Sequence, residues 1–306
     1  MNLESYDIQS HLKHAPHVKA FFHKPSFTWS YVVSDPMTNM CAIIDSVVDF
    51  DLPSGTLSYG SADAIAAYVH DEGLTVEWHL ETHMHADHLS AATYLKGKLG
   101  GKVAIGNHIS EIQNMYKDVF GVSEAELKEA RAQFDVLWKD FETFAVGSLP
   151  AFTFYAPGHT PADIVYGIGD ALFVGDSLFM PDFGSARCDF PRGNAASMFD
   201  SIQTIYTLPD EMKMFMCHDY LPEGRSEYRY ETTVGEQKRS NIHLRQGVKK
   251  ERFVELREAR DKTLSLPVYM IPSLQVNVRA GQVPTIEGKP MLRLPVNSIF
   301  SKYAKE

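Results

Sequence analysis

The segment from Thr82 to His88, Thr-His-Met-His-Ala-Asp-His, constrains this chain more than any other feature. Four side chains of metal-ligating types fall within six positions: His83, His85, Asp87 and His88. Imidazole and carboxylate groups are ligands of Zn²⁺ and Fe²⁺. In an extended or turn conformation, His83 and His85 point to one side, while Asp87 and His88 reach a second position. The segment therefore predicts one short loop that serves two adjacent metal positions.

Three further candidate ligands follow apolar segments. His159 comes after the predicted strand PAFTFY, Asp176 after the apolar run LFVG, and His218 after MFMC. Polar residues at the ends of apolar strands are where open α/β proteins build their sites. A histidine-rich loop that arose by chance would leave these three positions unexplained. We therefore predict that they form one site together with the loop.

The segments around these residues alternate between strand and helix patterns. Helices are predicted over 61–73, with Ser61 as N-cap and Gly73 as stop signal, and over 89–101 and 194–208. Strands are predicted over 18–23, 27–34, 40–46, 75–82, 102–106, 150–159, 163–169, 171–179 and 211–220. This alternation, in two halves, predicts an α/β sandwich.

Two stretches depart from that alternation. Residues 107–147 are charged and have helical spacing, which predicts a mostly helical excursion between two core strands. Residues from about 261 to 306 are rich in proline and short apolar segments, and we expect this extension to cover a surface or an edge. No domain boundary precedes it, so we expect a single domain over 1–306 with a core at about 15–260. The apolar segments of this extension also suggest a homodimer as one oligomeric state.

Composition excludes several classes of protein. The 306 residues carry a formal net charge of -10, which disfavours nucleic-acid and anionic-membrane partners. No apolar run is long enough to cross a membrane, and the first residues lack a signal-peptide pattern. Cys41, Cys188 and Cys217 are too few and too scattered for a disulfide framework, which predicts a reducing, cytoplasmic location. No glycine-rich nucleotide-binding motif stands in a fitting context.

The pattern HxHxDH, then GH, then GD, then a last histidine resembles the metallo-β-lactamase superfamily over residues 83–218. The resemblance implies an αββα sandwich with a metal site at one edge of its two sheets. It also implies three ligands for a first metal, three for a second and one bridging carboxylate: His83, His85 and His159; Asp87, His88 and His218; Asp176.

Further segments resemble the persulfide dioxygenase branch of that superfamily. The run GSARCDF over 184–190 matches its G-x-x-R-x-D-F pattern, and HADHLSAA, CHDY and GEQKRSN are similar to that branch. The resemblance implies one Fe(II) per chain held by His83, His159 and Asp176, a facial triad suited to O₂. The substrates implied are O₂ and glutathione persulfide or a similar thiol persulfide, and the products are sulfite and thiol. His85, Asp87, His88 and His218 would then surround the iron, orient its ligands and handle protons.

Two other readings of the site remain open. A glyoxalase II-like thioester hydrolase would use all seven ligands for two metals such as zinc. A sensor that binds a persulfide without turnover would use the same residues. The G-x-x-R-x-D-F run favours the dioxygenase.

Six residues near the motifs are candidates for substrate binding: Arg187, Asp189, Tyr220, Arg225, Lys238 and Arg239. Arg187 and Asp189 form either a salt-bridged pair that shapes the loop beside the metal or an ordinary surface pair. Tyr220 either hydrogen-bonds substrate or packs under a sheet. The basic stretch that ends at Lys238 and Arg239 offers donors for glutathione carboxylates, or else forms a solvated helix face.

Overall fold

The computed structural model describes residues 7–296 and 298–300. The strands are β1 (His17–His23), β2 (Thr28–Ser34), β3 (Met40–Ile44), β4 (Val47–Asp51), β5 (Thr56–Ser58), β6 (Thr75–Leu80), β7 (Leu89–Ser90), β8 (Lys102–Gly106), β9 (Val136–Trp138), β10 (Thr143–Val146), β11 (Leu149–Tyr155), β12 (Ile164–Ile168), β13 (Ala171–Phe173), β14 (Lys213–Phe215), β15 (Glu231–Thr233), β16 (Thr285–Ile286) and β17 (Lys289–Pro290). The helices are α1 (Ile8–His11), α2 (Gly60–Asp71), α3 (Ala92–Leu99), α4 (Ile109–Phe120), α5 (Glu124–Arg131), α6 (Ala195–Ile205), α7 (Val234–Ser240), α8 (Lys250–Asp261) and α9 (Met270–Asn277).

Each half of the described chain builds one six-stranded sheet. The first has the order β1-β2-β3-β6-β8-β9, and the second runs in sequence from β10 to β15. Strand β2 shows why they stack, since all seven of its residues are buried. Tyr31 and Val33 lie in the apolar core shared with the second sheet, whereas Val32 packs with α2 on the opposite face. Helices α6 and α8 cover the outer face of the second sheet. The layers are therefore αββα, as predicted.

Helix α2 illustrates a cap that comes from a distant part of the chain. Ser61 was expected to be the N-cap, but the helix begins one residue earlier, at Gly60, and Tyr59 makes no side-chain cap. The Asp49 carboxylate of β4 instead accepts hydrogen bonds from the Ser61 amide and hydroxyl, at 2.9 and 2.7 Å. Asp49 therefore satisfies a free amide of the first turn. At the other end, Gly73 has φ +64°, the left-handed conformation of a helix stop.

Residues 107–147 are helical in their first part and extended in their second. Helices α4 and α5 follow one another, and Ser123 and Glu126 form a capping box at the start of α5. The chain then adds β9 to the edge of the first sheet and β10 to the edge of the second. The prediction of a mostly helical excursion is wrong for these two strands. Strands of three and four residues are too short to show alternating polarity.

The C-terminal extension contributes to the core as well as to the surface. All residues of α9 except Ile271 are buried, and Met270, Leu274 and Val278 pack against α4. The last turn of α9 also lies against β7, the short strand that follows the histidine-rich loop. The extension therefore touches the segment that carries the candidate ligands. In the described part of the chain, no helix has the length and apolarity needed to span a bilayer.

Candidate metal centre

The histidine-rich loop joins β6 to β7 and meets three segments of the second half at one end of the sheets. The candidate ligand atoms gather in two groups, each within 4.8 Å: His83, His159 and Asp176; His85, Asp87, His88 and His218. The structure thus brings all seven predicted residues together. Six of them are buried and Asp87 is partly buried.

Asp176 lies between the two groups. Its Oδ2 atom is 3.5 Å from His159 Nε2 and 3.9 Å from His83 Nε2, while its Oδ1 atom is 3.4 Å from His218 Nε2. Gly175 makes this placement possible, because its φ is +52° and an added Cβ would stand 2.7 Å from Thr82 Oγ1. One carboxylate therefore faces both sets of imidazoles.

Three of the histidines are held in orientation by contacts to their Nδ1 atoms. His83 Nδ1 lies 3.0 Å from Thr82 Oγ1, and His159 Nδ1 lies 2.8 Å from the carbonyl oxygen of Arg187. His218 Nδ1 is 3.3 Å from the carbonyl oxygen of Phe27. These contacts turn the three Nε2 atoms toward Asp176, the usual way in which outer contacts orient ligands.

Several buried nitrogen and oxygen atoms at the centre have no hydrogen-bond partner in the described part of the chain: His83 Nε2, His85 Nδ1, His88 Nε2, His218 Nε2 and Asp176 Oδ1. Buried polar atoms nearly always have a hydrogen-bond partner, so a group of unpaired nitrogen and oxygen atoms that face one another indicates a site for a cation. The donor set of imidazole and carboxylate suits Zn²⁺ or Fe²⁺. The residues therefore fit a metal, and this is a metal-binding His/Asp site.

His85 is held by two buried carboxylates that are not among the predicted ligands. Its Nε2 atom lies 3.0 Å from Asp45 Oδ1 and 3.5 Å from Glu81 Oε2. Burial lowers the pKa of His85, but the Asp45 charge and hydrogen bond outweigh it and the net pKa is raised. Asp45 also accepts hydrogen bonds from the amide and hydroxyl of Thr82 and has φ +50°. Its position after the apolar run CAII is the same signal that pointed to His159 and Asp176.

The pKa shifts differ across the centre. Burial, together with the charges of the other histidines, holds the pKa of His83 well below its ordinary value. His218 is buried too, but the carboxylates of Asp176 and Asp87 raise its pKa overall. The surrounding charges therefore shift the pKa values of these two histidines in opposite directions.

Asn277, the last residue of α9, holds the loop from the C-terminal side. Its Nδ2 group donates to the carbonyl oxygens of His85 and His88, both at 2.8 Å, and its Oδ1 atom accepts from the Ser90 amide at 2.8 Å. The side chain is 4% exposed. One amide thus fixes three backbone groups of the loop. No motif in the sequence marks this residue.

A cavity of about 480 Å³ opens onto the centre. Asp87, His159 and Asp176 contribute to its floor, and aromatic side chains contribute to its walls: Phe27, Phe179, Phe183, Phe190 and Tyr220. Residues 264–269 of the C-terminal extension form another part of the wall. A largely apolar cavity with a few polar groups is typical of a small-molecule site.

Two of the predicted substrate residues line this cavity. Arg187 forms a bidentate ion pair with Asp189, at 2.6 and 2.8 Å, and also donates to the carbonyl oxygen of Ser265. Its guanidinium carbon lies 4.7 Å from the centre of the Phe190 ring. Tyr220 stacks on His218 with ring centres 5.5 Å apart. Asp189 acts here as the partner of Arg187 and is not itself a lining residue.

The other three predicted substrate residues lie outside the lining of this cavity. Arg225 binds Asp219 through two hydrogen bonds of 2.5 Å and Asp182 at 2.9 Å. Lys238 Nζ donates to Asp210 at 2.5 Å. Arg239 lies in the same helix, α7. Its guanidinium group packs close to Gly235, with one nitrogen 3.0 Å from the position that a Cβ atom on that glycine would take. Arg225 and Lys238 are therefore ion-paired within the protein, and none of the three residues lines the cavity.

All three cysteines are free and buried. Burial raises the pKa of Cys41 to about 12 and that of Cys188 further still, so both thiols behave as small apolar groups. The Cys188 sulfur lies 3.3 Å from Met198 Sδ. Cys217 stands within 4.8 Å of ligand atoms of Asp176 and His218, and burial raises its pKa as well.

The family model of the metallo-beta-lactamase superfamily matches residues 23–218, which include every candidate ligand. This chain belongs to that superfamily.

Relatives with curated names cover most of the chain. It is 48% identical over 93% of its length to a beta-lactamase hydrolase-like protein of Xylella fastidiosa, of which it spans 65%. It is 45% identical to a probable metallo-hydrolase of Burkholderia pseudomallei and 42% identical to glyoxylase B2 of Dictyostelium discoideum, each over 92% of this chain. It covers 99% and 97% of those two relatives.

Among solved structures, the crystal structure of ETHE1 from Myxococcus xanthus is similar to this chain, with a TM-score of 0.68 and 27% identity. The similarity covers 87% of this chain and 100% of that one.

Proposed function

We propose that this protein is an Fe(II)-dependent dioxygenase that oxidises a thiol persulfide. The observation that carries the proposal is the group formed by His83, His159 and Asp176, two members of which face the cavity. Two histidines and one carboxylate with an open side form the facial triad of non-haem iron oxygenases. The likeness to ETHE1 of Myxococcus xanthus supports the same interpretation, because the human protein of that name, a persulfide dioxygenase, is 25% identical to this chain over 66% of its length.

The reaction consumes one persulfide, one O₂ and one water, and it yields one thiol and one sulfite. The S–S bond breaks, the outer sulfur is oxidised, and O₂ is the oxidant. Iron bound by the triad would supply the redox chemistry that joins O₂ to sulfur.

The chain's own residues position and shield the reacting groups. The Arg187 carbonyl fixes the ring of His159, and the pair that Arg187 forms with Asp189 holds that carbonyl in place. The rings of Phe179, Phe190 and Tyr220 give the cavity beside the centre apolar walls. The second group, which includes Asp87 and His218, provides side chains that can exchange protons beside the open side of the triad. Their Nε2 and Oδ2 atoms lie 3.4 Å apart.

A dinuclear thioester hydrolase similar to glyoxalase II is the second candidate. The unpaired His85 Nδ1, His88 Nε2 and His218 Nε2 atoms favour it, because they supply what a second metal needs. The name of the Dictyostelium relative, glyoxylase B2, supports it too.

One experiment separates the candidates. Protein loaded with Fe(II) is given glutathione persulfide, and O₂ uptake and sulfite are measured together. We expect matched uptake and sulfite, both abolished in Asp176→Ala and retained in Asp200→Ala, since Asp200 is exposed and distant. Hydrolysis of S-lactoylglutathione by the zinc-loaded protein, with no O₂ uptake by the iron form, would establish the hydrolase instead.

A further inference from the structure

Three arginines line the cavity, and two of them form ion pairs with carboxylates of the protein. Arg187 is bound by Asp189 and the Ser265 carbonyl. Arg257 is 1% exposed, pairs with Asp261 at 2.6 Å, and donates to the Ser185 carbonyl at 2.9 Å. Their charges are therefore neutralised within the fold.

Arg260 differs from the other two. It is exposed at the end of α8, and its guanidinium carbon lies 5.8 Å from the centre of the Phe183 ring. Within residues 7–296 and 298–300, no carboxylate lies within ion-pair distance of it. The nearest acid along its helix, Asp261, is occupied by Arg257 and by the Cys188 amide. A cation that the protein leaves unpaired at a cavity wall is available to a ligand.

One cavity is lined by polar residues of the centre, by apolar side chains and by Arg260. Asp176 and His159 belong to the polar part, and Phe183, Leu264 and Leu266 to the apolar part. A ligand that fits this lining has a sulfur head for the metal, an apolar part and an acidic end for the guanidinium. At about 480 Å³, the cavity is in the size range of small-molecule sites.

We propose that Arg260 binds the carboxylate at the remote end of a thiol-derived substrate while the sulfur end reaches the metal centre. This inference rests on the proposed function for the identity of the sulfur end. It makes Arg260, rather than the basic stretch at Arg225, Lys238 and Arg239, the residue that selects acidic substrates. Phe183 supports the guanidinium face and leaves its edge free for a planar carboxylate.

The test compares Arg260→Gln with Arg252→Gln. Arg252 lies in the same helix and is also exposed, but it stands near Glu255 and does not line the cavity. The first measurement is the dissociation constant of S-methylglutathione for the metal-loaded protein, by titration calorimetry. We expect about tenfold weaker binding in Arg260→Gln and no change in Arg252→Gln, since one charge-assisted hydrogen bond is lost.

The second measurement tests whether the effect depends on the carboxylates of the substrate. Glutathione persulfide is compared with the persulfide of 2-mercaptoethanol, which has no carboxylate. We expect Arg260→Gln to raise KM for the first substrate about tenfold at unchanged kcat and to leave KM for the second unaltered.

Two results would overturn the proposal: equal affinity of the wild type and Arg260→Gln for S-methylglutathione, or the absence of binding to the wild type. The calorimetric arm needs no turnover. Absence of O₂ uptake with a preserved affinity difference would therefore refute the dioxygenase and keep the acidic subsite.

Discussion

The histidine-rich loop over 82–88 and the C-terminal segment over 262–282 both build the centre, but they do so in different ways. The loop supplies ligand atoms, and its spacing is visible in the sequence. The C-terminal segment supplies the Asn277 amide, the Ser265 carbonyl and apolar wall, and it carries no motif. Metal ligation requires particular side chains at fixed intervals, whereas support can come from many side chains and from the backbone.

This contrast predicts two classes of damage. Changes in the loop should remove the metal and the chemistry while the fold persists. Changes in the C-terminal segment and in α8 before it should weaken the fold or the metal affinity by degrees.

The largest expected effect comes from the loop. His83→Ala removes one imidazole from the candidate triad, so we expect loss of bound metal and at least about a thousandfold loss of activity. Metal content after dialysis and O₂ uptake measure both. His70→Ala is the matched control, because His70 is an exposed histidine in α2. Full metal content in His83→Ala would show that the centre does not depend on this residue.

The next effect lies in α8. Arg257→Met leaves the buried Asp261 carboxylate without its partner, so we expect a loss of about 3–5 kcal/mol in the free energy of unfolding. Urea denaturation of the metal-free protein measures it. Arg252→Met, at an exposed position of the same helix, should stay within about 0.5 kcal/mol of the wild type. Equal stability of the two variants would contradict the structural role of the pair.

A smaller effect tests whether the C-terminal segment reaches the metal. Asn277→Ala releases the His85 and His88 carbonyls, and we expect a loss of about 10–100-fold in metal affinity. Competition with a chelator measures the affinity. Gln275→Ala serves as control, because Gln275 is buried in the same helix but bonds to Ile271 and Arg293 instead. If both variants keep wild-type affinity, the contact with Asn277 does not shape the site.

The smallest effect separates acid sensitivity of the fold from that of the centre. Burial lowers the pKa of His79 in β6 from 6.5 to about 4. Between these two pH values, His79 is protonated in the unfolded chain but not in the folded protein. Its contribution to the free energy of unfolding is therefore complete above pH 6.5 and decreases as the pH falls toward 4. At pH 5.5 the loss is about 1 kcal/mol. His79→Gln keeps the donor to the Gly100 carbonyl and should lack this part of the pH dependence. Identical pH profiles of unfolding would refute the assignment.

The alternation of strand and helix patterns predicted an α/β sandwich, and the resemblance to the superfamily implied its αββα layers. The seven residues that converge on the centre were predicted from local patterns, as in the six positions from His83 to His88. The sequence did not predict Asp49 as the cap of α2, nor Asn277 as the support of the loop, because each contact joins residues far apart in the chain. The ligand roles, the single domain, the homodimer and the cytoplasmic location stay predictions.

The substrate residues show the same limit. A basic stretch looks alike in sequence whether or not its charges are already paired. Lys238 forms an ion pair with Asp210. Arg260, which lies in a stretch of mixed charge, has no ion pair among the described residues. Only the contacts of the folded protein distinguish the two residues.

The contact between Asn277 and the loop has a consequence for how the protein matures. Residues 83–88 leave the ribosome long before Asn277, so the loop is made well before its clamp exists. The nascent chain therefore lacks the finished centre until α9 has been synthesised. Metal acquisition is expected to be a late event, and a chain truncated before α9 should fail to retain the ion even though every ligand is present.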